Sequence, residues 1–280
     1  MNKYLKGIPI IDEVELDGKV VFIRCDLNVP LKNGVVTNDY RIKASLPTIK
    51  YAMSQGAKVV VGSHLGRPKT EEDKKALSME PVAEKLREFL ENNVYLVEDS
   101  LSETTRGLLS GLKKGDLILL ENLRFIPGET KNGPELPNAV ADYADVYVND
   151  AFGASHRAHS SIVGIPKMVK TSCVGFLMKK EIEMLSEVIA SPEKPYVAIL
   201  GGSKVSDKIE IIDKLIDAVD TFIIGGAMAY TFLKAQGIGV GKSLVEEDKL
   251  TFIKNFIKRK DSRGKKLLLP IDHVVAKEFS

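Results

Sequence analysis

Short runs of apolar, largely β-branched residues recur along this chain and alternate with segments of helical spacing. The runs lie at residues 19–24, 58–63, 94–97, 117–120, 145–149, 196–200, 221–224 and 266–270. Continuous apolar runs of this length are typical of parallel strands that are buried on both faces. Because strands and helices alternate, the sequence predicts an α/β fold with Rossmann-like, doubly wound parallel sheets.

The length of 280 residues predicts two such domains, since domains cluster near about 100 to 150 residues. We assign residues 1–172 to a first domain with about five strands. Residues 173–195 are predicted to form a connecting helix and hinge, because apolar side chains recur there at helical spacing before a Pro-containing stretch. Residues 196–280 form a second domain with three strands, which we interpret as truncated because its short sheet has no evident cover.

Composition excludes several classes of protein. The net charge of +2 gives no bulk attraction for nucleic acids or membrane surfaces. No segment approaches the ~18 apolar residues of a membrane helix, and the start is unlike a signal peptide, so we expect a cytoplasmic protein. The cysteines Cys25 and Cys173 lie far apart and indicate reduced core thiols.

Polar and charged residues follow four of the predicted strands of the first domain. Ligands of open parallel sheets bind beyond the carboxyl ends of the strands, so these loops are expected to form one rim. The rim residues are Asp26, Asn28, His64, Arg67, Arg124, His156, Arg157 and His159. Clustered guanidinium groups bind phosphate and carboxylate oxygens through paired hydrogen bonds, which predicts a small phosphorylated acid as ligand.

Other interpretations of these rim residues stay open when they are taken singly. Asp26 and Asn28 are also common turn residues, and His64 or His159 alone would more often be structural. We assign no metal, because the histidines around Arg157 lack a matching set of acids or cysteines.

In the second domain the first strand runs into Gly-Gly-Ser-Lys, and a helix is predicted to follow. Free amide groups at that helix N-terminus, with the ammonium groups of Lys204 and Lys208, would suit nucleotide phosphates. A plain strand-to-helix turn is an equally good interpretation of the glycines. Residues 225–227 leave room for a base or ribose, or for tight packing. The segment at 237–243 ends like a phosphate-binding P-loop but follows a helix, so we reject that assignment.

Six segments in series resemble the signature segments of the phosphoglycerate kinase family, and the resemblance covers essentially the whole chain. They are RCDLNVP (24–30), DYRIKAS (39–45), SHLGRP (63–68), LLENLRF (119–125), NDAFGASHRAHSS (149–161) and GGSKVSDKI (201–209).

The resemblance implies two binding sites. The residues implied to bind 3-phosphoglycerate or 1,3-bisphosphoglycerate are Asp26, Asn28, Arg41, His64, Leu65, Gly66, Arg67, Arg124 and Arg157. The residues implied to bind ADP or ATP are Gly202, Ser203, Lys204, Lys208 and Ala227. Arg41 and Lys204 are implied to act on the transferring phosphoryl group. Ser203 and Ala227 differ from the Ala and Gly of many relatives, a change that should be tolerated.

The implied activity is reversible phosphoryl transfer between 1,3-bisphosphoglycerate and ADP, giving 3-phosphoglycerate and ATP, a step of glycolysis. The implied enzyme is a monomeric phosphotransferase with a carboxyl group as acceptor, which closes about its hinge. Mg²⁺ would enter with the nucleotide, its protein ligand being expected beyond residue 280. A polypeptide ending at Ser280 is expected to turn over poorly or not at all.

Two alternatives belong to other classes of function. The first is a fragment that binds 3-phosphoglycerate without catalysis. The second is a dehydrogenase on a similar sheet, which the absence of a GxGxxG segment after any predicted strand disfavours.

Overall fold

A computed structural model of the chain describes residues 4–277. The chain divides into two compact units, Met1–Met184 and Leu185–Ser280. The strands are β1 Val20–Cys25, β2 Leu31–Lys32, β3 Val35–Val36, β4 Lys58–Gly62, β5 Val94–Val97, β6 Leu117–Leu120, β7 Val146–Asp150, β8 Thr171–Val174, β9 Val197–Leu200, β10 Thr221–Ile224 and β11 Lys266–Leu268. The α-helices are α1 Tyr40–Ser54, α2 Glu71–Ala76, α3 Glu80–Leu90, α4 Thr104–Gly111, α5 Glu135–Ala141, α6 Ile165–Met168, α7 Phe176–Ala190, α8 Ile209–Leu215, α9 Met228–Ala235 and α10 Leu250–Ser262.

The first unit is built on a parallel sheet with the strand order β5-β6-β4-β1-β7-β8. Strand β1 lies inside this sheet, where Val21 pairs with Val59 of β4 and with Val146 of β7. All strands point the same way, so their carboxyl ends meet along one edge. The loops that carry the predicted rim residues therefore leave the sheet at the same edge.

Both faces of this sheet are covered, as the apolar runs predict. Val21 and Ile23 of β1 face one core, which helices α1 and α3 complete. Phe22 faces the other core, with Leu109 of α4 and Leu136 of α5. These strand side chains are fully buried, and each such burial stabilises the fold by about 1.5–3 kcal/mol. The α/β architecture with parallel sheets is confirmed.

The sequence analysis missed two features of the first unit. Strand β8, Thr171–Val174, adds a sixth strand at the sheet edge, so the predicted domain boundary at residue 172 falls inside a strand. The run is short and begins with two polar residues, which hides it from a search for apolar runs. The small antiparallel hairpin β2-β3 turns at Asn33 and Gly34, both of which have positive φ. The unit boundary lies within α7.

The second unit contains a parallel sheet of order β11-β10-β9. Phe222 and Ile224 of β10 pack against helices α8, α9 and α10 in one core. The other face of β9 is different, because Val197 is 42% exposed and Ile199 is 75% exposed. The predicted burial of this strand on both faces is therefore wrong for the residues that the structure describes.

Two expectations that rest on composition concern membranes and thiols. None of the helices formed between residues 4 and 277 is both long and apolar enough to cross a bilayer. Cys25 and Cys173 are buried and unpaired, and burial raises the pKa of the Cys173 thiol to about 12. Both are core thiols, as predicted.

Candidate functional site

The loops at the carboxyl edge of the first sheet bring the predicted side chains into one cluster, which we call the basic rim. Its members are Asp26, Asn28, Arg41, His64, Arg67, Arg124, Arg157 and His159. They come from the loops after β1, β4, β6 and β7 and from the first turn of α1.

Arg41 and Asp26 form the outer contact of the basic rim. The Nη1 atom of Arg41 lies 2.8 Å from both carboxylate oxygens of Asp26. Asp26 also lies beside the loop after β7, because a Cβ at Gly153 would be 3.0 Å from its Oδ2. The Arg41 side chain stays 48% exposed, so its guanidinium is held in place and still accessible to a ligand.

Three loops meet at Gly66. Its amide donates to Asn28 Oδ1 at 2.8 Å, and Nη1 of Arg124 donates to its carbonyl oxygen. Gly66 has a φ of +60°, and a Cβ there would be 2.6 Å from a methyl group of Leu77. Only glycine combines this backbone conformation with so little space. Asn28 and Arg124 are thereby joined to the His64–Arg67 loop.

The arginines of the basic rim lie close enough to perturb one another. Burial lowers the pKa of Arg124, and the neighbouring charges of Arg157, Arg67 and Arg24 lower it further. The Nε atom of Arg124 is buried and has no hydrogen-bond partner among the residues described. Guanidinium groups that repel one another, with an unsatisfied donor among them, are chemically suited to bind an anion.

His64 is buried in the basic rim and stays neutral. Burial lowers its pKa to about 2, with further lowering by Arg24, Arg124, Arg157 and His159. The pKa of His159 is also lowered, first by burial, although Glu129 at 3.8 Å opposes this. These imidazoles act as hydrogen-bonding groups rather than as cations. His156 is exposed and contacts Arg157 Nε at 3.2 Å.

Several buried residues that hold the basic rim were missed by the sequence analysis. They are Arg24, Ser63, Asn122, Glu129 and Ser161. Ser63 Oγ accepts from the Leu27 amide at 2.9 Å and so joins the loops after β1 and β4. The one available signal was an arginine directly after the apolar residues 20–23, which is unusual in a buried strand.

Asn122 joins the loops after β4 and β6. Its Oδ1 accepts from the amides of Leu65 at 3.1 Å and Arg124 at 3.2 Å. Its Nδ2 donates to the carbonyls of Leu65 at 2.7 Å and Leu77 at 3.0 Å. The side chain is 1% exposed, so these bonds replace water for each backbone group.

We expect Asn122→Ala to destabilise the first unit by about 2 kcal/mol, because buried backbone groups lose their partners. Urea unfolding measures this change. Asn93→Ala is the control, since the Asn93 side chain donates to Asp116 Oδ1 at 3.1 Å and lies at a more exposed position. Equal effects of the two substitutions would contradict a special role for Asn122.

The predicted nucleotide residues of the second unit lie in two adjoining loops, after β9 and β10, which we call the glycine loops. The Met228 amide donates to the Gly202 carbonyl at 2.9 Å. Gly226 has a φ of +67°, and a Cβ there would be 2.8 Å from the Gly202 oxygen. Gly202, Ser203 and Lys204 are exposed, while Lys208 and Ala227 are partly buried.

The prediction of free amide groups after the Gly-Gly-Ser-Lys turn is wrong at two positions. The amides of Val205 and Ser206 donate to Oε2 of Glu246, and Ser206 Oγ donates to its Oε1 at 2.6 Å. The Glu246 amide is itself bonded to Thr231 Oγ1 at 3.2 Å, which places the carboxylate there. Burial raises the pKa of Glu246, but the hydrogen bonds from Ser206 and Val205 outweigh it, so the pKa is lowered.

Two further predictions concern a P-loop at residues 237–243 and a metal site. The segment 237–243 follows helix α9, which confirms that it is not a P-loop. Among residues 4–277 no group of three or more His, Cys, Asp or Glu side chains could hold a metal ion.

Comparison with known proteins gives one consistent result. A family model described as phosphoglycerate kinase matches residues 11–280. A phosphoglycerate kinase of Bdellovibrio bacteriovorus is 56% identical over 277 residues, which are 99% of this chain and 69% of that protein. One from Clostridium perfringens is 50% identical over 271 residues, 96% of this chain and 68% of that protein.

Solved structures agree with the sequence relatives. The structure of phosphoglycerate kinase from Coxiella burnetii is 43% identical with a TM-score of 0.82, and the match covers 98% of this chain and 68% of that one. The crystal structure of the enzyme from Pyrococcus horikoshii is 33% identical with a TM-score of 0.80, over 94% of this chain and 67% of that one. This chain thus spans about two thirds of the length of these proteins.

Proposed function

We propose, because this chain belongs to the phosphoglycerate kinase family, that its basic rim binds 3-phosphoglycerate or 1,3-bisphosphoglycerate and that its glycine loops bind ADP or ATP. The function of the family is phosphoryl transfer by a phosphotransferase with a carboxyl acceptor, a step of glycolysis. The family assignment does not support the dehydrogenase alternative and does not favour a fragment that only binds 3-phosphoglycerate.

The observation that carries the assignment of the acid site is the guanidinium cluster around Arg124. Arg67, Arg124 and Arg157 repel one another, and the buried Nε of Arg124 has no partner in the described part of the chain. A ligand with a carboxylate and a phosphate would relieve both conditions, because each anionic group accepts paired hydrogen bonds from a guanidinium. His64, Leu65 and Gly66 complete the site from the same loop, with Asp26 and Asn28 beside it.

The chemistry of the reaction assigns a role to each group. In the direction of ATP formation, an oxygen of the ADP β-phosphate attacks the phosphorus of the acyl phosphate, the bond from phosphorus to the acyl oxygen breaks, and 3-phosphoglycerate leaves as a carboxylate. This step needs alignment of the reactants and neutralisation of charge on the equatorial oxygens. Arg41, which Asp26 holds, and the exposed Lys204 are proposed to supply positive charge there.

The nucleotide is proposed to contact Gly202, Ser203, Lys204, Lys208 and Ala227. Since Glu246 already bonds the amides of Val205 and Ser206, we assign the phosphate contacts to the lysines rather than to those amides. Mg²⁺ is proposed to enter with the nucleotide. The described residues offer no carboxylate cluster for it, so no step is assigned to a protein-bound metal.

Transfer requires the acid and the nucleotide to meet while water is excluded, since water would hydrolyse the acyl phosphate. We propose that residues 172–195 act as the hinge for this closure. A cytoplasmic location is proposed from the two buried, unpaired cysteines. We propose further that the protein is a monomer with no nucleic-acid or membrane partner.

Calorimetry with 3-phosphoglycerate tests the acid site. We expect Arg157→Ala to weaken binding about tenfold or more, because a hydrogen bond to a charged group contributes about 1.5–3 kcal/mol. Arg106→Ala is the matched control, since Arg106 lies on α4 and is paired with Glu103 and Asp142. Unchanged affinity in Arg157→Ala, or equal losses in both variants, would overturn the proposed site.

A further inference from the structure

Arg24, at the end of β1, is the largest fully buried side chain in the described part of the chain. Its Nε donates to Ser161 Oγ at 2.8 Å, its Nη1 donates to the Cys25 carbonyl, and its Nη2 lies 3.1 Å from His64 Nδ1. A cation this deep in a protein is stable only when its donors are bonded and its charge is compensated. Each of the three guanidinium nitrogens of Arg24 has a polar contact.

The carboxyl group joined to Arg24 through Ser161 is that of Glu129, which is also fully buried. Ser161 Oγ accepts from Arg24 and donates its proton to Glu129 Oε1 at 2.5 Å, while the Ser161 amide donates to Oε2 at 3.0 Å. Tyr147 also donates to the Ser161 carbonyl at 2.7 Å. The chain of bonds from Glu129 through Ser161 fixes the orientation of the Arg24 guanidinium.

This orientation determines which nitrogen of His64 carries a proton. Arginine has donors but no acceptor, so the contact between Nη2 and Nδ1 is a hydrogen bond only if Nδ1 accepts. A neutral imidazole carries a single proton, which must then be on Nε2. The groups facing His64 are Arg24, Arg124, Arg157 and His159, and together with burial they oppose the doubly protonated form.

We propose that Arg24 is a positioning residue that holds His64 as its Nε2–H tautomer, so that this histidine donates a hydrogen bond to the bound phosphorylated acid without carrying a charge. The identity of the ligand rests on the proposed function. An uncharged donor adds a directed hydrogen bond to a site that already contains several guanidinium groups. Arg24 itself acts through His64 and need not touch the ligand.

Nitrogen NMR of the ¹⁵N-histidine-labelled chain tests the tautomer without any ligand. We expect His64 to show an unprotonated Nδ1 and a protonated Nε2, unchanged between about pH 5 and pH 8. The histidine at position 156, which is exposed, serves as the internal reference. A proton on Nδ1 of His64 overturns the proposal, whatever the behaviour of any variant.

A double-mutant cycle with 3-phosphoglycerate tests the route of action. We expect Arg24→Met to populate the other tautomer and to weaken binding about tenfold, and to have little further effect when His64→Ala is already present. Arg87→Met is the control. Arg87 lies in the last turn of α3, and its guanidinium donates to the carbonyl of Val94 in β5. Equal losses from Arg24→Met in both backgrounds would show that Arg24 acts by its charge alone and would overturn the proposal.

A further pair of outcomes separates this proposal from the proposed function. If Arg24→Met does not fold, Arg24→Lys takes its place in the cycle. Lysine keeps the charge but lacks the planar guanidinium that contacts both Ser161 and His64. A parent chain with the expected tautomer and no affinity for 3-phosphoglycerate would overturn the proposed function and the ligand contact together. It would confirm the assignment of the proton to Nε2.

Discussion

Lys204→Ala is expected to lower kcat by about 10²- to 10³-fold, the largest effect that we predict for a single substitution. Lys204 lies in the exposed part of the loop after β9, directly before the buried Val205. Glu246 holds the two amides that follow it, so the lysine is presented from a fixed backbone. Under the proposed function, loss of its charge should remove stabilisation of the transferring phosphoryl group and leave that backbone intact.

The measurement is a coupled assay on the product of the native gene, with calorimetry of 3-phosphoglycerate as a second readout. Affinity for the acid should be unchanged, since we assign the acid site to the first unit. Lys254→Ala, at an exposed position of α10, is the matched control and should retain activity. A fall in kcat of less than tenfold would contradict the role of Lys204.

Asp150 is the second residue with a large predicted effect, and this effect is on stability. It ends β7, and its Oδ1 accepts from the Met178 amide at 3.0 Å at the start of α7. Its Oδ2 is buried without a partner among the residues described. Burial raises the pKa of Asp150 to about 6, although hydrogen bonds from Met178, Thr48 and Leu177 oppose the shift.

The sign of the pH dependence follows from that raised pKa. The unfolded carboxyl titrates near 3.8 and the folded one near 6, so the folded state binds more protons between these values. The contribution of Asp150 to stability is therefore present at low pH and is lost as the pH rises through about 6. Asp150→Asn removes this dependence.

We expect the free energy of unfolding of Asp150→Asn, relative to the parent, to rise by about 3 kcal/mol between pH 4 and pH 8. Hydrogen exchange at the amides of β1, corrected for intrinsic rates, measures it. His64 and His159, whose lowered pKa values give the opposite slope, cancel in this difference. Asp99→Asn, at an exposed turn, is the control, and a pH-independent difference for Asp150→Asn would contradict the prediction.

The sequence predicted most of the fold because its strands are buried on both faces. In strands such as β4 and β6, burial requires an unbroken apolar run, and such a run is visible without a structure. Strand β8 lies at the sheet edge and β2 and β3 are two residues long, so neither packing nor length leaves a signal. The open face of β9 was missed because apolar residues look the same whether or not they are covered.

The residues of the candidate site also include some that the sequence reveals and others that it does not. Asp26, Arg41, His64, Arg124 and Arg157 lie in loops after buried strands or in a signature segment, and position in a parallel sheet is enough to group most of them. Asn122, Glu129 and Ser161 are polar side chains whose contribution to the site depends on hydrogen-bond partners as far as 137 residues away in the chain. No local pattern identifies such a partner.

What the sequence by itself determined was the α/β class and the residues at the carboxyl ends of the strands, because these follow from chain order and from apolar periodicity. The resemblance of six segments in series indicated the family. Tertiary structure alone decided the charge state of His64, the contact of its Nδ1 with Arg24, the raised pKa of Asp150 and the use of two loop amides by Glu246. Each of these depends on burial and on distances of about 3 Å between residues remote in the chain, and such distances exist only after the backbone has folded.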